Sequence, residues 1–332
     1  MTDVFVRTTA DAGGDGTTNT DSSGDGSHAY NSLTVAEAAE QGDITLAASL
    51  DFQCFGGADS GATTFDAASW TVDATHFVTI SAQVSRTAAF NASNYHKITS
   101  GNYQDLISIE IPFTVTDGLQ FKVDHIGSTC IKATRSIQAI NNIGEGSAGA
   151  NKRGFEFVST GTVADLVAVV NNVFYDFGHR ALDLTGSNSN AILAIYNNTL
   201  PGNDIGIFTS STHAASSRIF NNIITGSTTD YSTNGTFTTD NNLSSDATSP
   251  NTAHRSKTVT YTDAVNDDYS TGDADVVTLG TDLTSDSLFP FSTDCLGVSK
   301  GSNWDMGAFQ DVGVGGVTIP VIMNHLRNQG VR

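Results

Sequence analysis

Two acidic residues sit at the centre of short apolar triplets, Glu156 in Phe155-Glu156-Phe157 and Asp183 in Leu182-Asp183-Leu184. Basic residues precede each triplet: Lys152 and Arg153 before the first, His179 and Arg180 before the second. Two carboxylates beside an imidazole and guanidinium groups suit acid–base work on a glycosidic bond, or metal-assisted removal of a uronic-acid proton. The triplets alternate with period two, as strands do, so inward apolar members turn Glu156 and Asp183 outward together. On neighbouring strands they would lie about 4.8 Å apart. Glu156, Asp183, His179 and Arg180 are therefore the candidate catalytic residues. A solvated strand face produces the same pattern without catalysis, with Arg180 compensating two like charges. Aligning Ile205-Gly206-Ile207 as the next strand also places Gly206 in the row and breaks it.

A second chemistry is suggested by "DAGGDGTTNTDSSGDG", where Asp11, Asp15, Asp21 and Asp25 lie among glycines. Flexible oxygen-rich loops suit calcium, although this one lacks EF-hand spacing and a late bidentate glutamate, and a solvated turn is the reading we prefer. The run "VNDDYSTGDAD" at 265–275 carries the same ambiguity. The 8 histidines show no paired metal-ligand spacing. No nucleophile elbow, P-loop or dinucleotide fingerprint is present, so no cofactor beyond calcium is implied. Tyr175, Phe177, Tyr196 and Phe220 recur near one another in the repeat; they would stack on sugars or fill the core, and core is the reading we take.

Composition narrows the function classes. The 332 residues include 32 Gly and 5 Pro, and 15 Lys+Arg face 35 Asp+Glu for a net charge of -20. That charge argues against binding nucleic acid by phosphate neutralisation and against anionic membrane surfaces. No run approaches the roughly 18 apolar residues of a membrane span. Cys54, Cys130 and Cys295 have no metal spacing, and three cannot all pair, so a disulfide framework is not expected. The N-terminus lacks a basic start and apolar h-region; either a leader was removed before this numbering or the chain folds in a cytoplasm.

The elements that would position these residues come from an internal repeat. Asn-Asn recurs after apolar residues at Asn141, Asn171, Asn197, Asn221 and Asn241, in steps of 30, 26, 24 and 20 residues. Between the pairs lie short alternating runs, "VAVV", "LDL", "LAIY" and "IGIF", separated by Gly, Asn, Ser and Asp. Strand, turn, strand and Asn turn then repeat. Stacked at about 4.8 Å per turn, such units form a parallel β-helix. Asparagine tolerates the left-handed conformation of a sharp corner, and its amide can bond its equivalent one rung away. Asn171, Asn197 and Asn221 are thus expected at equivalent corners.

Three stretches resemble right-handed β-helix repeat proteins of the pectate-lyase-like superfold. The opening "DVFVRTTADAGGDGTTNTDSSGDGSHAYNSLTVAEAAEQGD" is similar to the strand, loop and capping helix that precede such coils. "GLQFKVDHIG" and the Asn-Asn rungs are similar to their middle, and "GSNWDMGAFQ" to their Asp-Ile-Gly-Ala-Phe/Tyr-Glu ending, with Met306 and Gln310 as departures. The resemblance implies an all-β fold: a right-handed parallel β-helix with a short N-terminal capping helix and an irregular C-terminal closing segment. The expected division is 1–45 for strand, loop and helix capped by Ser32 or Thr34, 46–245 for a coil of roughly eight rungs at about 25 residues each, 246–316 for a lateral closing segment and 317–332 for an apolar-basic tail.

A superfold does not fix a function. The expected role is a structural or adhesive bacteriophage virion protein, a capsid decoration, fibre or tail component, that meets other virion proteins or its own copies, a trimer for example, and surface polysaccharide. The tail, with Ile319, Val321, Ile322, Leu326 and Arg327, would supply the docking contact. A polysaccharide lyase or glycoside hydrolase, and a secreted bacterial adhesin at the cell surface, are the alternatives.

Overall fold

The computed structural model describes residues 1–83, 96–99, 104–147, 149–159 and 161–311. The tail residues Ile319, Val321, Ile322, Leu326 and Arg327 lie outside them. The described chain is a right-handed parallel β-helix whose strands fall into parallel sheets of nine, seven and eight strands. One full turn shows the logic: Leu166–Val170 lies in the first sheet, Val173–Tyr175 in the third and Arg180–Leu184 in the second. Ile192–Tyr196 then returns to the first sheet, in register with Leu166–Val170. The strand Thr2–Arg7 already pairs in parallel with Leu50–Phe55, so stacking starts before the helix.

Period-two alternation sends one set of side chains into the coil, where they stack on the same side chains one rung away. Phe52, Ile80, Thr116, Ala139, Val169, Ile195 and Ile219 form such a row in the first sheet, and Ile109, Ala133, Phe157, Leu184 and Thr209 in the second. Where a large ring crosses the narrow interior its neighbour must be small. A Cβ on Gly144 would lie 2.6 Å from the Phe174 ring, leaving glycine as the fitting residue.

The Asn-Asn corners join the first sheet to the third, and the two asparagines divide the work. The first takes the left-handed conformation, with φ 57 at Asn171, 51 at Asn197 and 58 at Asn221, and likewise at Asn141 and Asn241. The second is buried and forms the amide ladder. Both the backbone N–H and the Nδ2 of Asn142 donate to Asn172 Oδ1 at 2.9 and 3.0 Å, and the pattern continues through Asn198, Asn222 and Asn242 to Asn251. Every amide in this dry column is thereby satisfied from the rung next to it.

Both ends of the coil are covered. The helix Leu33–Glu40 starts where Ser32 Oγ accepts from Val35 N at 3.2 Å and Asp59 Oδ2 from Leu33 N at 2.8 Å. It buries Leu33 and Ala36 on the first rungs, and Glu37 accepts from Trp70 Nε1 at 2.7 Å. At the other end Tyr231 is buried under the 245–256 loop, its N–H donating to Thr248 Oγ1 at 2.9 Å. No helix among the described residues is long and apolar enough to cross a membrane.

Residues 246–311 run back along the outside of the first and third sheets. Trp304 and Leu283 bury Ala168, Val170, Ala194, Tyr196 and Phe220, while Ala308 and Phe309 bury Ile143, Val173 and Tyr175. The four aromatics expected in the core are all buried, Phe177 in the inner core and Tyr175, Tyr196 and Phe220 in the outer clusters beneath this segment. The residues that cover these three come from a distant part of the chain. The segment is anchored on the left-handed asparagines. Asn171 Nδ2 donates to Thr293 O at 2.9 Å, Asn197 Nδ2 to Asp305 O and Gly307 O at 3.0 Å each, Asn221 Nδ2 to Thr281 O at 2.9 Å and Asn241 Nδ2 to Thr281 Oγ1 at 3.0 Å. Gly307 has φ 80, and a Cβ there would strike Ile223 and Thr199, which explains the glycine of "WDMGAF".

Candidate functional site

The outer face of the second sheet carries the residues with catalytic potential. Glu156 pairs with Asp183 in register, flanked by Lys132 on the preceding rung, and Arg153 aligns with Arg180. The next rung differs from the sequence expectation. Asp183 faces Phe208 and Leu182 faces Ile207, so the strand is shifted by two residues from the alignment on Ile205-Gly206-Ile207. Phe208, not Gly206, ends the carboxylate row, and Ile205 sits beside Arg180 with its side chain only half-buried. Alternation alone permits either placement, since "IGIFT" is apolar at both Ile205 and Ile207.

Glu156 and Asp183 are not exposed as their outward direction suggested. Asp183 has a side-chain exposure of 1%, because Arg153 and Arg180 lie over it. Arg153 Nε donates to one Asp183 oxygen at 2.6 Å, and Arg180 Nη1 reaches both at 2.8 Å. Arg180 in turn stacks its guanidinium 3.5 Å from the centre of the Phe208 ring. Glu156 lies 3.5 Å from Arg153 Nε, and Lys132 Nζ donates to Asp105 at 3.0 Å. Three cations and three carboxylates thus alternate across four rungs with no net charge.

The electrostatics follow from burial. Partial burial pushes the Glu156 carboxyl above its usual range, with Arg153 opposing and the Asp183 charge adding to the shift. His179 is pushed down, first by burial and then by Arg180 and Arg153. It directly precedes the Asp183 strand, and its backbone carbonyl accepts from Ile205 N at 2.7 Å. The fold therefore brings Glu156, Asp183 and Arg180 together and leaves His179 beside them. Arg153 and Phe208 complete the cluster; Arg153 was visible in sequence only as a preceding basic residue, and Phe208 was hidden by the two-residue shift.

Local hydrogen bonds hold the aspartates of the Gly/Asp loop. Asp15 Oδ1 accepts from Thr17 N and Oγ1 at 3.0 and 2.6 Å, and Asp25 Oδ1 from Ser27 N and Oγ at 3.1 and 2.6 Å. Asp21 Oδ1 accepts from Arg7 Nε and Thr9 Oγ1 at 2.7 Å each, while Asp11 offers its backbone carbonyl to His28 Nε2. Three of these carboxylates, those of Asp15, Asp21 and Asp25, thus close their own local contacts. Among the described residues no three His, Cys, Asp or Glu side chains are placed to hold a metal. The Asp-x-Thr/Ser staple recurs at Asp43, Asp73, Asp246, Asp268 and Asp282. Its signature, an aspartate two residues before a hydroxyl, was legible in the sequence. At Asp25 these bonds hold the carboxyl down to about 2.

One carboxylate on the first sheet works in the opposite sense. Asp51 stands in register with Asp3, accepts from Ser81 Oγ at 2.7 Å, and is pushed up to about 6 by burial and by the charges of Asp3 and Asp117. A folded pKa above the unfolded value means the folded state holds its proton longer, so this site loses stability as pH rises from about 4 through 6. Asp51→Asn is expected to stabilise the protein by on the order of 2 kcal/mol at pH 8 and by almost nothing at pH 4. Denaturant midpoints at the two pH values check this; an equal gain at both would show that charge is not the cause.

Comparison of the chain with protein-family models, with curated proteins and with solved structures finds no match.

Proposed function

We propose that the protein is a non-enzymatic structural or adhesive β-helix of pectate-lyase-like type, serving in a bacteriophage particle as a capsid decoration, fibre or tail component. The observation that carries the non-enzymatic part is the state of Asp183: a carboxylate roofed by Arg153 and Arg180 cannot meet a sugar or a water without dismantling two ion pairs. A hydrolase needs two carboxyl groups facing the scissile bond, and here one of them is taken up by its neighbours. Covered coil ends and a long closing segment suit a rod that holds its shape. The net charge of -20 suits a surface that must stay dispersed while meeting basic or polar partners. The apolar-basic tail 317–332 is the docking element in this reading, toward a particle surface or a second copy.

The test combines location and activity. Antibody detection in purified particles is the expected result, and deletion of 317–332 is expected to leave the coil folded while removing incorporation. Detection only in medium or on bacterial cells would replace the virion role with that of a secreted adhesin. Depolymerisation of acidic or neutral polysaccharide by the wild type, lost in Glu156→Gln, would overturn the non-enzymatic reading and favour a lyase or hydrolase on the second sheet.

A further inference from the structure

We propose that Asn234-Gly235, in the turn after the last strand of the second sheet, is a site of spontaneous succinimide chemistry that converts Asn234 to aspartate and isoaspartate. It is the single Asn-Gly pair in the sequence. The strand Thr229–Thr233 ends one residue before it, and Asn234 and Gly235 are both exposed. Gly235 has φ 110 and no side chain to shield its nitrogen.

The local hydrogen bonds favour the reaction. Thr209 Oγ1 donates to the Asn234 carbonyl oxygen at 2.9 Å while accepting from Asn234 N at 2.7 Å. A donor on that carbonyl draws electron density from the Asn234–Gly235 amide and acidifies the Gly235 N–H. Asn234 Nδ2 donates to Ser210 O at 3.2 Å, which holds the side-chain amide in place. After losing its proton to base, the Gly235 nitrogen bonds to Asn234 Cγ. The Cγ–Nδ2 bond breaks and ammonia leaves with the proton returned from solvent. Water then opens either imide carbonyl, so the net change is amide plus water to carboxylate plus ammonium.

The ladder asparagines are protected on both counts. Asn142, Asn172, Asn198, Asn222 and Asn242 are buried, and Ile143, Val173, Thr199, Ile223 and Leu243 follow them with branched side chains. The ladder is thereby spared this chemistry. Isoaspartate places an extra methylene in the main chain, so Thr209 can no longer grip both the N–H and the carbonyl of residue 234.

The test incubates the intact full-length protein in mildly alkaline buffer and follows peptides by mass spectrometry with isoaspartyl-methyltransferase labelling. The Asn234 peptide is expected to convert at least roughly tenfold faster than those carrying Asn198 or Asn222, since glycine offers no steric hindrance. Asn234→Gln, which forms the larger ring slowly, is expected to abolish labelling of the peptide that carries residue 234 and any new protease sensitivity at 232–238. Persistence of the Asn234 amide for as long as that of Asn198, or undiminished labelling of the same peptide in Asn234→Gln, would overturn the proposal.

Discussion

Asn198→Leu is expected to lower stability by about 3 kcal/mol or more, because it leaves several buried partners unpaired at about 1–3 kcal/mol each. Asn198 Oδ1 accepts from both the backbone N–H and the Nδ2 of Asn172 at 3.0 Å, while its own Nδ2 donates to Asn222 Oδ1 at 2.9 Å and Val169 O at 2.8 Å. Leucine fills the space yet meets none of these groups, and no water reaches the column. The neighbouring Asn197→Val acts differently. It forces a β-branched residue to φ 51 and removes the donor to Asp305 O and Gly307 O. Its smaller loss, about 2 kcal/mol by the cost of a strained backbone position, should come with easier proteolysis of 246–311. Denaturant midpoints of the two variants decide the matter, and an unchanged midpoint for Asn198→Leu would remove the ladder from the account of stability.

Asp183→Ala is expected to cost about 3–5 kcal/mol, the range for stripping one partner from a buried ion pair. Arg153 and Arg180 would be left facing each other across a buried gap, with Arg180 held in place by Phe208. Leu184→Ala, a large-to-small change in the inner row, falls in a similar range of about 2–5 kcal/mol. Glu156→Gln should cost less than about 1 kcal/mol, as its single 3.5 Å contact is partly exposed. An Asp183→Ala variant no weaker than Glu156→Gln would show that the guanidinium roof is not holding the carboxylate.

The outward direction of Glu156 and Asp183 was readable from alternation, but their burial was not. Direction is a property of the strand, whereas burial depends on what lies across the strand, here Arg153 and Arg180 folding over the face. The corner asparagines were legible for a local reason, since Asn tolerates positive φ where most residues do not. The separation of corner and ladder duties between Asn197 and Asn198 was not, because both are the same residue and only the stacked rungs distinguish them. The slip from Ile205 to Ile207 has the same origin. Two equivalent apolar residues two positions apart satisfy one face equally, and the strand's own pattern does not choose between them. Tyr196 and Phe220 depended on Trp304 and Phe291, contacts so distant in sequence that no local pattern carries them.

The grip of residues 246–311 on Asn171, Asn197, Asn221 and Asn241 makes that segment a gauge of coil length. Its anchors are spaced for four successive rungs, each about 4.8 Å from the next. Duplicating one turn between Asn171 and Asn241 would carry the upper anchors a full rung away from Thr281 and Gly307. A turn added between Leu50–Phe55 and Val78–Ala82 would leave every anchor in place. The coil can therefore gain a turn near the helix-capped end without losing an anchor, whereas the far half is tied to a fixed number of turns.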